Sequence, residues 1–157
     1  MTKEEFAQRI VAMTEVLHRV AWSQLGQAAD REDAVQETIR RAWEKRDRLR
    51  DERYMQTWVI RILLNVCSTQ RRSNARMLPA AYIPAIQQAD SRDTPLLDAL
   101  FALDEKFRLP LQLRYIEGYS AGEVARILGL PEGTVKSRLS RGRDKLRAQL
   151  KEEVFDE

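Results

Sequence analysis

The chain has 157 residues, 43% of them apolar and 32% charged, with a formal net charge of +3. That is enough apolar material for one domain or two small ones, and the small net charge sets up no overall field that would demand a polyanionic partner. A single cysteine, Cys67, leaves no internal disulfide and no thiolate metal cluster, no apolar run approaches the roughly 20 residues needed to span a bilayer, and the first residues lack the basic-then-apolar order of a signal peptide.

In chain order the pattern is helical throughout, with no sustained alternation that would mark strands. A first helix is predicted over residues 3–25, burying Phe6, Ile10, Met13, Val16, Leu17 and Val20, with Gly26 closing it. "DREDAVQETIRRAWEKRDRL" follows, with Asp30 as N-cap and acidic residues in its first turn. Val35, Ile39, Ala42 and Trp43 form its apolar side and leave Asp33, Gln36, Glu37 and Arg40 outward. In "TWVIRILLNVCSTQRR", Trp58, Val59, Ile62, Leu63 and Val66 face a core, while Arg61, Asn65, Ser68 and Arg72 make a polar strip. Trp43 and Trp58 are read as core residues and Cys67 as a buried one.

Residues 73–95 break the pattern: Pro79, Pro84 and Pro95 punctuate a stretch rich in Ala, Gln and Asp, as a linker between two domains would be. Two helices are predicted in "LLDALFALDEKFRLPLQLRYIEGYS", with Pro110 kinking or beginning the second. Ser120 and Glu123 then form a capping box, Gly129 ends a short helix, and Pro131 sits where a following helix tolerates it. Short helix, glycine turn and longer basic helix make a helix-turn-helix.

The charge distribution agrees. From 107 to 151 there are ten Lys or Arg against four Asp or Glu, whereas the end of the chain, residues 152–157, is acidic. On the last helix Val135, Leu139, Gly142 and Leu146 share one stripe, and Lys136, Ser137, Ser140 and Arg141 lie opposite it. The second helix of such a motif enters the major groove, so these four residues are expected to meet base edges. Arg138, Arg143 and Lys145 flank the stripe and suit phosphates, which position a protein without specifying sequence.

Three segments in this order, "DREDAVQETIRRAW", "TWVIRILLNVCSTQRR" and "FRLPLQLRYIEGYSAGEVARILGLPEGTVKSRLSRGRDKLR", give the chain its likeness to a family. It resembles the extracytoplasmic-function (ECF) sigma factors, which keep only the second and fourth conserved sigma regions. The resemblance implies an all-α fold: a region 2 domain over 1–72, a flexible linker over 73–95, a region 4 helix-turn-helix domain over 96–151 and an acidic tail over 152–157. It implies that Asp33, Gln36, Glu37 and Arg40 bind the β′ clamp coiled coil of core RNA polymerase, and that the β flap is a second contact. At the −10 element it implies Asn65 as the polar contact to an extruded base, with Arg61, Arg71 and Arg72 along the phosphates. At the −35 element it points to Lys136, Ser137, Arg138, Ser140, Arg141 and Arg143. The linker, with Asp90 and Asp93, would thread the polymerase near the RNA exit path. Met55, Val59 and Leu64 depart from the usual family pattern, so strand opening is implied but a −10 base preference does not carry over.

An anti-sigma factor is an expected partner by the same resemblance, able to hold an otherwise cytoplasmic protein at a membrane. No cofactor or metal is expected. Nor is enzymatic activity: His18, the single histidine, lies inside a helix, and no nucleophile motif or phosphate-cradling glycine loop occurs. Two other readings remain open at the sequence level. One is a conventional helix-turn-helix regulator that binds DNA without polymerase, and the other is a polymerase-binding decoy that never initiates.

Overall fold

The computed structural model describes residues 1–77 and 95–155, with side chains described to Arg76 and from Pro95 to Lys151. All regular structure among these residues is helical. The chain divides into two compact units, Met1–Gln87 and Gln88–Glu157.

The first unit comprises α1 (Lys3–Ala12), α2 (Thr14–Trp22), α3 (Ala28–Glu44) and α4 (Met55–Met77), with two short 3-10 turns, Arg46–Arg48 and Glu52–Tyr54, ahead of α4. α3 packs on α2 and α4. Leu17, Val20, Val35, Val59, Ile60, Leu63 and Cys67 are buried between them. Thr38 is buried as well, its hydroxyl returned to the Ala34 carbonyl at 2.7 Å. α1 begins with a capping box in which Thr2 and Glu5 satisfy one another's backbone amides.

Several local expectations need correction. The helix predicted over residues 3–25 is broken at Met13, where the Thr14 hydroxyl takes the Val11 carbonyl at 2.8 Å and competes with the helical ladder. It ends at Ser23 rather than Gly26; the Ser23 hydroxyl donates to the Val20 carbonyl at 2.9 Å. Gln27, not Asp30, occupies the N-cap of α3, and the Asp30 carboxylate instead accepts from the Asn74 amide at 3.0 Å. Trp43 is 39% exposed: its ring leans on Phe6 (centroids 6.1 Å apart) and carries the Arg46 guanidinium 4.3 Å from its centre. α4 runs five residues past the start expected for the linker, because residues 73–77 contain no proline to stop it. The remainder of that linker up to residue 94, with Asp90 and Asp93, lies outside the described residues.

The second unit comprises α5 (Pro95–Ala102), α6 (Glu105–Leu111), α7 (Ala121–Leu128) and α8 (Glu132–Phe155). α8 packs against α5, α6 and α7, burying Val135 and Leu139 with Phe107, Leu113, Val124 and Ile127. Pro110 does not begin a helix; it lies inside α6, which passes directly into a π-helical turn at Gln112–Ile116. Proline supplies no N–H for the carbonyl four residues back, so the ladder is already interrupted where it widens, and the Glu117 amide reaches Gln112 at 3.0 Å. Buried Arg108 donates to the Phe101 and Leu103 carbonyls at 3.4 and 3.5 Å, tying α6 to the end of α5. The acidic end of the chain continues α8 as far as Phe155, and its last two residues lie outside the described ones.

Candidate nucleic-acid interface

α7 and α8 form the predicted helix-turn-helix. The Ser120 hydroxyl accepts from the Glu123 amide at 3.1 Å, and the Glu123 carboxylate accepts from the Ser120 amide at 3.0 Å. Gly129 adopts φ 67°, a left-handed conformation that costs glycine no Cβ clash, and the Leu130 amide then closes back on the Ala125 carbonyl at 3.0 Å. The turn aims α8 so that Val135 and Leu139 are buried while Lys136, Ser137, Ser140 and Arg141 are exposed together on the far side. Arg138 and Arg143 are half-buried at its flanks. Lys136 pairs with Glu132 at 3.4 Å and Arg143 donates to the Tyr115 hydroxyl at 2.6 Å.

Gly142 lies against α6 in this packing. A Cβ there would stand 3.0 Å from Leu111 Cδ1 and 3.4 Å from Phe107 Cβ, so α8 approaches α6 closely because this position has no side chain.

On α4, Arg61, Asn65 and Arg72 are exposed and fall on one helical face by their spacing. Arg71 does not join them: it is half-buried, turned away by its place on the helix, and donates to the Gln24 side-chain carbonyl just beyond α2. The charged loop before α4 is largely paired within the chain. Arg53 binds Asp51 at 2.8 Å, which holds the Asp51 carboxyl below its usual range, and Arg9 from α1 reaches the Glu52 carboxylate at 3.6 Å.

On α3, Asp33, Gln36 and Arg40 are exposed and Glu37 is half-buried on the same face. Glu37 takes Arg40 at 2.6 Å and Arg41 at 2.8 Å, and Arg40 also reaches Glu44 at 2.6 Å. Hydrogen bonds from Arg40 and then Arg41 hold the Glu37 carboxyl down at about 2.

Residues 11–77 match the Sigma-70 region 2 family and residues 99–148 match Sigma-70, region 4. SigL, an ECF RNA polymerase sigma factor of Mycobacterium tuberculosis H37Rv, is 33% identical across 87% of this chain and 84% of its own length. The chain belongs to the ECF RNA polymerase sigma factors. SigW of Bacillus subtilis 168 is 26% identical over 96% of this chain and 91% of its own. Among solved structures, the sigma factor RpoE of Bartonella quintana, in complex with the anti-sigma factor NepR, superposes with a TM-score of 0.78 at 28% identity, covering 94% of this chain and 98% of that one.

This sigma factor is therefore an alternative initiation factor for promoter-specific transcription. None of its described helices is long and apolar enough to cross a membrane. Sequence reasoning did not single out Lys106, which stands in α6 and lines one cleft with Ser137, Arg138 and Arg141 of α8. Its one sequence signal is its position just before Phe107, a residue that must be buried.

Proposed function

We propose that the sigma factor reads the −35 element with Lys136, Ser137, Ser140 and Arg141 in the major groove, and holds the flanking phosphates with Arg138 and Arg143. The observation that carries this is the exposed α8 face, where Arg141 has neither an ion pair nor a hydrogen bond among the described residues while Val135 and Leu139 behind it are buried. An exposed guanidinium with free donors suits the O6 and N7 acceptors of guanine.

The −10 element falls to the strip Arg61, Asn65 and Arg72, with Asn65 at the extruded base. Arg71 is reassigned: its bond to Gln24 supports a role in fastening α4 to the end of α2. Asp33, Gln36, Glu37 and Arg40 form the face for the β′ clamp coiled coil, and the second unit takes the β flap. RNA synthesis itself is the polymerase's chemistry, and the factor works in the cytoplasm, where an anti-sigma factor covers these same faces until released.

Run-off transcription over a promoter library, with purified core polymerase and with or without the factor, tests this. Discrete starts that need the factor and share upstream elements are the expected outcome. Binding to duplex DNA with no binding to core would instead favour a regulator that works without polymerase.

A further inference from the structure

Three of the seven described cations of α8 meet a polar partner within the chain: Lys136 has Glu132, Arg143 has the Tyr115 hydroxyl, and Arg147 has Asp144 at 3.7 Å. Those bordering one cleft do not. Between the start of α6 and the first turns of α8 lies a cleft of about 420 Å³ whose walls include Lys106, Thr134, Ser137, Arg138 and Arg141 and no carboxylate. Lys106, Arg138 and Arg141 make no ion pair among the described residues.

The Lys106 ammonium stands 5.1 Å from the centre of the Phe107 ring, and Lys145 stands 5.4 Å from the same ring. Like charges gathered around one ring, with no acid in the cleft, leave an uncompensated positive potential that an anion would relieve. Two hydroxyls, Thr134 and Ser137, add neutral donors. Gly133, also in the wall, leaves the backbone of the first turn of α8 uncovered, since a Cβ there would meet nothing within 4 Å.

We propose that this cleft seats a backbone phosphate of the promoter duplex, and that Lys106 is a DNA-positioning residue contributed from outside the helix-turn-helix. The assignment rests on the −35 reading above, because Ser137 and Arg141 belong to both the cleft and the base-reading face. An anion in the cleft is thereby placed beside the bases, as a backbone phosphate would be, rather than at a separate site for a free anion. Phosphate contacts fix register and affinity and carry no sequence information. Lys106 therefore contributes equally on every duplex.

The test uses the full chain and labelled duplexes carrying either the −35 element found by run-off transcription or a scrambled version, titrated from about 50 to 200 mM salt. Lys106→Gln is expected to weaken binding to both duplexes by the same factor, roughly 5–10-fold, and to reduce the slope of log affinity against log salt by about one. Lys106→Arg should restore both. Inorganic phosphate at matched ionic strength should displace no more DNA than chloride does.

An unchanged slope in Lys106→Gln, with Arg141→Ala still losing discrimination, would overturn the phosphate seat and leave the −35 reading standing. Preferential displacement by inorganic phosphate would make the cleft a free-anion site and sink the DNA assignment. Absence of salt-dependent DNA binding by the unaltered chain, both free and with core polymerase, would remove the −35 reading and this inference with it.

Discussion

Arg141 and Arg143 stand two residues apart on α8 and meet different surroundings. Arg141 is exposed beside the Lys106 cleft, whereas Arg143 is half-buried and spends a donor on the Tyr115 hydroxyl. Arg141→Ala should cost about 1–3 kcal/mol of discrimination between matched and scrambled −35 duplexes, while Arg143→Ala lowers affinity evenly on both. Equal losses on the two duplexes for Arg141→Ala would remove it from base reading. Arg71 poses the opposite case, a cation expected at DNA that meets Gln24 instead. A double-mutant cycle on Arg71→Ala and Gln24→Ala, followed by urea unfolding, should return a coupling of about 1 kcal/mol. Additive losses would mean the bond contributes nothing to the first unit. Glu37 gives a pH signature. Its folded value of about 2 lies below the ordinary 4.5, so its pairing with Arg40 and Arg41 contributes stability above pH 4.5 and is lost as pH falls through about 2. Titration followed by carboxyl carbon shifts should place its midpoint near 2, and Arg40→Ala should move it upward toward 4.5.

At the scale of the element, two glycines of α8 should respond in opposite directions to added side chains. At Gly142 the new atoms would press on Leu111 and Phe107, so Gly142→Leu should destabilise the second unit by about 1–3 kcal/mol. At Gly133 the space is open, and Gly133→Ala should raise stability by roughly 0.5–1 kcal/mol through helix propensity alone. Thermal unfolding of both variants checks the pair. A neutral Gly142→Leu would show that α6 yields easily and that the close approach is not needed. The capping box at Ser120 and the helix end at Gly129 were legible in the sequence, because each depends on residues at most five apart. The break at Met13 was not: a continuous apolar stripe runs through it, and the stripe says nothing of where the Thr14 hydroxyl turns.

For the whole molecule, the division into two compact units predicts that each unfolds on its own. Leu63 and Leu113 are fully buried, one in each unit, and truncating either to Ala should cost about 2–5 kcal/mol. Hydrogen exchange should accelerate first in the unit that carries the substitution; uniform acceleration across both would show a single cooperative core. The helical class, the helix-turn-helix and the outward faces of α3, α4 and α8 followed from sequence, since period, caps and turn residues act over one or two helical turns. Tertiary structure decided which cations on those faces are already engaged. Gln24 and Arg71 are 47 residues apart, and Lys106 meets the first turns of α8 through the packing of α6 on that helix. Charge is a property of a residue, but whether it is spent inside the fold or left for DNA depends on distances that chain folding alone sets.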